Sequence, residues 1–266
     1  MAELLGEGSA GVVYRAVGAD GREVALKLFR SELARSESYR GRLAHEVRAA
    51  REVRHPNLVA LLDAGEAEGV SYIAFAYVAG SETLRARIAR SGPLGTHEVV
   101  RVGLQIGSAL DAMHTAGIVH RDVKPSNVIL AGDNALLSDL GLARGAAYTA
   151  LTRPGHILGT ADYLAPELIR GESASAESDI YAFGCTLYEC VAGSPPFSGR
   201  SVLAVGLAHL EEQPADPSLG RPDLPAAFGA ALLRGLAKAP SERPPAALAY
   251  ARLLEVGARA DADQPS

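Results

Sequence analysis

The chain has 266 residues, 48% hydrophobic and 21% charged, with a formal net charge of -5. That length can bury a sizeable core, and the acidic balance leaves no basic footprint for nucleic acid or an anionic membrane. With no apolar run of about 18 residues, and with a start, "MAELLGEG", that carries neither a basic leader nor an apolar signal segment, the expectation is a cytoplasmic protein with no membrane anchor in this chain.

The first seventy-odd residues read mainly as strands. "GVVYRAV" and "EVALKLF" are β-rich runs around "GADGRE", where Asp20-Gly21 signals a hairpin. "SYRGRLAHEVRAAREV" then has helical spacing, with Leu43, Val47 and Ala50 on one face. "NLVALLDAG" and "SYIAFAYV" return to strand character, and the text changes around Ala79-Gly80-Ser81. From Glu82 onward helices dominate: "HEVVRVGLQIGSALDAMHTAG", "ESDIYAFGCTLYECVAG", "SVLAVGLAHL", "AAFGAALLRGLAK" and "AALAYARLLEVGAR". Cys185 and Cys190 sit in the second of these and read as core thiols rather than a disulfide or metal pair. A small strand-rich lobe is thus followed by a larger helical one, an α+β arrangement with a hinge near Tyr77–Ser81. Only the tail "DADQPS" reads as disordered.

Two irregular stretches stand out. "IVHRDVKPSNVIL" packs His120, Arg121, Asp122, Lys124 and Asn127 between Ile118-Val119 and Val128-Ile129-Leu130, apolar runs that read as short buried strands. Such a loop, pinned into a core at both ends, is where function concentrates. The second stretch, Asp139 to Glu167, is a long loop punctuated by Gly, Pro and Thr, of a length that is usually functional.

"GEGSAGVV" spaces Gly6, Gly8 and Gly11 as G-x-G-x-x-G. Alone this is an ordinary Gly-rich turn as readily as a phosphate site. A dinucleotide fold needs a helix after the glycines, whereas here strand follows, so the motif is a hairpin flap able to close over a nucleotide with Val13 against a base. Lys27 in "VALK" shares a strand face with Ala25. An inward lysine needs an anion, and Glu46 is a sensible partner; taken singly, both are also ordinary surface residues. Asp139 in "SDLG" follows a short strand, "ALLS", and suits a hard cation such as Mg2+, with Asn127 as a second oxygen donor. Asp122 is then left to accept a proton from a hydroxyl, and Lys124 to neutralise a phosphoryl group.

The glycine flap, "VALK", "HRDVKPSN", "SDLG" and "APE", in this order and spacing, resemble the eukaryotic-like (Hanks-type) protein kinases, and the bacterial Ser/Thr kinases among them, over Leu4 to about Arg259. The resemblance implies one bilobal kinase domain across the chain: a small antiparallel-sheet N-lobe with one main helix (1–76), a hinge (77–81), a larger mostly helical C-lobe (82–259) and a disordered tail (260–266). It implies an enzyme that moves the γ-phosphoryl of ATP to Ser/Thr hydroxyls of proteins with Mg2+, or Mn2+ in its place. Lys27, paired with Glu46, would hold the α/β-phosphates; Asp122 would be the catalytic base, Lys124 the γ-phosphate cation, and Asn127 with Asp139 the metal ligands. The nucleotide would meet Gly6, Glu7, Gly8, Ser9 and Gly11 of the flap. Val13, Ala25 and Ile129 would hold its base, Phe75 would be the gatekeeper, and Ala76 to Val78 would offer hinge backbone. Glu167 would pair with Arg243, and Asp179 would anchor the catalytic-loop backbone.

Lys124 and Thr160, in "GTADYLAPE", are the Ser/Thr-kinase forms, with Thr160 on the substrate side. Arg121 before the catalytic Asp implies control by a phosphate in the activation segment, with Thr149 and Thr152 as acceptors and a homodimer suited to phosphorylation in trans. Leu140 replaces the usual Phe after Asp139, Ala76 replaces the usual hinge Glu, Glu82 is the nearest acid for a ribose, and the first strand is expected to be short. A pseudokinase, binding ATP or a partner without transfer, is the non-enzyme alternative, set against intact Lys27, Asp122, Asn127 and Asp139. A small-molecule kinase would lack the long segment ending in Ala165-Pro166-Glu167. The protein substrate has no readable code in this chain.

Overall fold

Runs rich in Val, Leu and aromatic residues in the first lobe pair into one antiparallel sheet. The computed structural model describes residues 3–8, 11–18, 20–29, 47–139 and 161–260. Strands β1 (Glu3–Gly8), β2 (Gly11–Val17), β3 (Glu23–Phe29), β4 (Leu61–Ala67) and β5 (Val70–Ala76) lie in the order β1-β2-β3-β5-β4. The β2–β3 turn closes where Asp20-Gly21 predicts it: Gly21 has φ 80°, and Asp20 Oδ1 accepts the Arg22 N–H at 3.0 Å. The first strand is not short. It runs six residues, through Gly6 and Gly8, and pairs with β2 from Glu3↔Arg15 to Gly8↔Gly11. Glycine does not end a strand when its backbone can still complete the ladder. Residues 47–52 are helical, with Val47 and Ala50 buried, as their spacing predicts; Leu43 lies outside the described residues.

The second lobe holds α1 (Leu84–Ser91), α2 (Thr96–Thr115), α3 (Pro166–Ile169), α4 (Ala176–Ala192), α5 (Val202–Glu211), α6 (Ala226–Arg234) and α7 (Ala247–Arg259). Three elements have no forecast in the sequence: α1, α3 and β6 (Glu82–Thr83), which forms a small sheet with β7 (Val128–Ala131) and β8 (Asn134–Leu137), the strands expected of Val128-Ile129-Leu130 and "ALLS". Helix α1 buries only Leu84 and Ile88, too few apolar positions to show a period; its start is set by Thr83, whose Oγ1 accepts the Ala86 N–H at 3.1 Å. The expected strand at Ile118-Val119 does not form. Ile118 is buried but has no neighbouring strand, and the next two backbone N–H groups bond a side chain instead.

Helix α4 is the axis of this lobe, buried from Ser178 to Val191 on every side. It includes Cys185 and Cys190, whose thiols are pushed up by burial and are free, as core thiols should be. Helix α2 crosses α7 closely: a Cβ at Gly107 would stand 2.8 Å from the Ala247 oxygen. The same helix caps its neighbour, since the Asp111 carboxylate accepts the Ala247 and Leu248 N–H groups at 2.8 and 3.1 Å. One apolar core runs through both lobes, from Phe29, Ile73 and Phe75 to Leu254.

The buried ion pair expected of Glu167 and Arg243 is present and bidentate, with both bonds at 2.7 Å. Arg243 also donates to the carbonyls of Ala237, Lys238 and Glu177, and Ser178 Oγ donates to Glu167. Burial pushes the Glu167 carboxyl up, but the Arg243 and Ser178 bonds outweigh it and hold the group below its ordinary value. Replacing Arg243 by Ala strands a buried carboxylate and should cost about 3–5 kcal/mol, read by urea unfolding at neutral pH. A depressed carboxylate pKa gives stability that is present above the unfolded value and lost as pH falls through the folded one. The gap between wild type and Arg243→Ala should therefore narrow on acidification below the normal glutamate range; a gap independent of pH would refute the assignment.

Candidate functional site

The polar loop 118–127 is held from below by one carboxylate. Asp179, 1% exposed on α4, accepts the backbone N–H of His120 through Oδ2 and that of Arg121 through Oδ1, each at 2.7 Å. His114 Nε2 meets the same Oδ2 at 2.8 Å. Sequence reasoning assigns the anchor to Asp179 but misses His114, whose only signal is a polar residue near the end of an apolar helix face. Arg121 takes φ 68°, a conformation costly to a residue with a Cβ, which the two bonds to Asp179 compensate.

His120 clamps the loop from the other side. Its Nδ1 accepts the Asp122 N–H at 3.3 Å, so Nε2 carries the hydrogen donated to the Ser138 carbonyl at 3.1 Å. Burial lowers its pKa and keeps the ring neutral, as an accepting Nδ1 requires. Ser138 in turn donates from N and Oγ to the Asn127 carbonyl, at 2.8 and 3.1 Å. The strand leading to Asp139 and the loop bearing Asp122 are thereby one unit.

Above that base the charged groups converge. Asp122 Oδ2 accepts from Lys124 Nζ at 2.9 Å and from Asn127 Nδ2 at 3.0 Å. Asn127 Nδ2 also donates to the Asp122 carbonyl at 2.7 Å, which turns its Oδ1 the other way. Lys27, only 8% exposed, pairs with Asp139, so the cation expected to hold phosphates is engaged by a carboxylate expected to hold metal. Asp139 itself has φ 58°. Its oxygens and Asn127 Oδ1 are hard donors that suit a divalent cation, and Mg2+ is commonly held by one or two carboxylates plus phosphate oxygens rather than by a protein cage.

The glycine flap roofs the site. Gly6 stands opposite Val13, and Val13 opposite Lys27. Gly11 is indispensable for space, because a Cβ there would sit 2.0 Å from the Leu28 oxygen. Ala25 pairs with Phe75, which is buried and borders a small apolar cavity with Val53, Leu58, Met113 and Asp139. At the hinge, the Ala76 N–H is taken by the Ala60 carbonyl at 2.9 Å, and Ser81 Oγ donates to the Val78 carbonyl at 2.6 Å. Ile129 lies half-buried on β7 below. Glu82 is engaged by Arg90, with Oε1 at 2.6 Å from Nη2, and is not a free acid for a ribose. Glu7 is exposed, and Ser9, Glu46, Leu140, Thr149, Thr152 and Thr160 lie outside the described residues.

A further brace is marked in the sequence only by a His-Pro-Asn turn signal. His55 accepts the Asn57 N–H at 3.1 Å and meets Ser108 Oγ on α2 at 3.0 Å. Asn57 bonds the Ala135 carbonyl, and Leu137 N–H bonds the Asn57 carbonyl, at 2.8 Å each. The segment after the helical residues 47–52 is thus fixed to β8, two residues from Asp139.

The protein kinase domain family matches residues 1–247 of this chain. The serine/threonine-protein kinase PknE of Mycobacterium bovis is 41% identical over 242 residues, which are 90% of this chain and 42% of that protein. The serine/threonine-protein kinase PknB of Mycolicibacterium smegmatis is 40% identical over 229 residues, 84% of this chain and 36% of that protein. The chain thus spans about two fifths of the length of these curated relatives. A crystal structure of the Mycobacterium tuberculosis PknI kinase domain superposes with a TM-score of 0.77 at 30% identity, over 96% of this chain and 94% of that one.

Removing the carboxylate under the loop should free it. Each hydrogen bond from a buried amide to a charged acceptor is worth about 1.5–3 kcal/mol. In Asp179→Ala, amide hydrogen exchange across 118–124 should therefore speed up by roughly tenfold or more, while exchange in α7 stays as in wild type. Unchanged exchange in the loop would show that it is held by something else.

Proposed function

The chain belongs to the protein kinase family, and on that footing we propose that it is an active Ser/Thr kinase that transfers the γ-phosphoryl group of ATP to protein hydroxyls. The observation that carries this reading is the convergence of Asp122, Lys124 and Asn127 at 2.9 and 3.0 Å, with Lys27 and Asp139 beside them. A set of one base, two cations and two oxygen donors is what phosphoryl transfer needs, because positioning and charge stabilisation do most of the catalysis.

In this reading the substrate hydroxyl approaches Asp122, which takes its proton as the oxygen bonds to the γ-phosphorus; the bond to the β-phosphate oxygen breaks and ADP leaves. Lys124, already within reach of Asp122, balances charge on the group in flight. Lys27 exchanges part of its contact with Asp139 for phosphate oxygens, which frees Asp139; Asp139 with Asn127 Oδ1 would then hold Mg2+, or Mn2+ in its place. The divalent ion, when bound, would offset the charge of the phosphates. Hinge backbone at Ala76 to Val78, other than the engaged Ala76 N–H and Val78 carbonyl, receives the adenine, between Val13, Ala25 and Ile129. Glu46 is assigned as the second partner of Lys27.

Control is assigned to phosphorylation of Thr149 or Thr152, with the phosphate drawn to Arg121 and Thr160 facing the acceptor; a transient homodimer would serve transfer in trans. The protein partners are other proteins bearing Ser or Thr, in the cytoplasm. No helix among the described residues is long and apolar enough to cross a membrane.

The test is phosphate incorporation from γ-labelled ATP with Mg2+, followed by site mapping. Wild type should label itself at Thr149 or Thr152. Asp122→Asn should lose at least ~10²-fold in rate, the range of a positioned base, and Lys27→Met should fall comparably. ATP binding without transfer to itself or to a basic protein would overturn the enzyme reading.

A further inference from the structure

A second polar cluster lies beside this site, between α1, the turn Ala161–Tyr163 and the buried helix α4. Arg85, in the first turn of α1, donates to the Tyr163 hydroxyl at 2.6 Å and stands 3.6 Å from Glu189 Oε1. The Tyr163 hydroxyl in turn donates to Glu189 Oε2. The Glu189 side chain is 4% exposed and that of Arg85 is 48% exposed. Asp162 adds a second carboxylate, half-buried and within the field of Arg85. Burial pushes both carboxyl groups above their ordinary values. One half-exposed guanidinium is therefore paired with the enclosed Glu189, with the half-buried Asp162 as a second carboxylate nearby.

The place matters as much as the charges. Tyr163 comes three residues after Thr160, the residue assigned to the substrate side, and α1 packs on both the Pro125–Asn127 turn and β7. The cluster thus stands between the catalytic loop and the segment that would receive a peptide. Two carboxylates in such a position are a natural seat for an Arg or Lys side chain of a substrate. Here the seat is filled from within the chain.

We infer that Arg85 is a specificity-determining residue: by pairing with Glu189 and holding the Tyr163 hydroxyl it excludes a basic substrate side chain, so the kinase does not select Arg or Lys near the phosphoacceptor. This inference rests on the phosphotransfer reading above. An incoming guanidinium would have to displace Arg85 or lie against a like charge, and such an internal repulsive element is how interfaces reject a competing partner. With the Arg85 charge removed, the carboxylates lack a cation, and a basic side chain of the substrate supplies it.

The experiment uses the full chain and a Thr peptide in an alanine background, with one Arg walked through about four positions on either side. The readout is kcat/KM for each Arg peptide relative to the background peptide. That ratio is internal to each enzyme, so partial misfolding of a variant cannot imitate a change. Wild type should stay within about twofold of unity everywhere. Arg85→Gln, which keeps a donor for Tyr163 but no charge, should favour Arg by about tenfold at one position, the return of a single charge-assisted pair. Arg85→Lys should keep the wild-type pattern. Adding Glu189→Gln to Arg85→Gln should remove the gain. A wild type that already favours Arg tenfold, or an Arg85→Gln that slows every peptide equally, would overturn the inference and leave Arg85 as a tie between α1 and α4. A wild type that binds ATP but phosphorylates nothing would instead overturn the premise, and the inference with it.

Discussion

The Asp179 carboxylate is the constraint on which the rest of the site depends. It lies within a helix buried on all sides, so its two oxygens cannot shift without unpacking the lobe. Each oxygen takes one backbone N–H of a loop that has no sheet or helix of its own, and His114 holds one of them in line. That arrangement stabilises the left-handed Arg121 and delivers Asp122 at a set height above the core. A loop fixed by its backbone leaves its side chains free for chemistry. Here three of them, Asp122, Lys124 and Asn127, bond one another, and Asn127 also ties back to the Asp122 carbonyl.

Besides the Lys27–Asp139 ion pair, the parts of the site are joined by neutral groups. His120 and Ser138 link the catalytic loop to the strand before Asp139, while Asn57 and His55 link the same strand to the first lobe and to α2. Neutral hydrogen bonds suit this role. They hold in a buried setting without the desolvation cost of an ion, and they leave the field in the cleft to Lys27, Asp122, Lys124 and Asp139. Two further pairs with an enclosed carboxylate, Glu167–Arg243 and Arg85–Glu189, lie toward the substrate-side turn and α4. Both hold segments that flank the stretch assigned to activation and substrate binding, one as a sealed structural tie and the other open to solvent at its arginine.

Much of this was legible because each motif carries its own chemistry. The β2–β3 hairpin, the helices α2, α4, α5, α6 and α7, and the buried cysteines follow from periodicity and turn residues over long, strongly patterned stretches. Asp122, Lys124, Asn127 and Asp139 stand out because such polar density between apolar runs has few structural reasons. The elements that escaped notice are those whose cause is elsewhere in the fold. Helix α1 buries just two side chains, and β6 exists only because β7 offers a partner. Ile118-Val119 has the composition of a strand but no neighbour to pair with, since Asp179 takes the N–H groups that follow.

The sequence by itself determined the fold class, the family and which polar groups gather in the loop 118–127 and at Asp139, because local propensity and residue chemistry are properties of short segments. The pairing of those groups belongs to the tertiary structure. Nothing local says that Lys27 meets Asp139, that Glu82 is spent on Arg90, or that Arg85 pairs with Glu189. Those contacts join positions far apart in the chain, and packing decides which opposite charges come within a few ångströms. Coulomb energy at such distances depends on burial as much as on charge, and burial is set only when the lobes have formed.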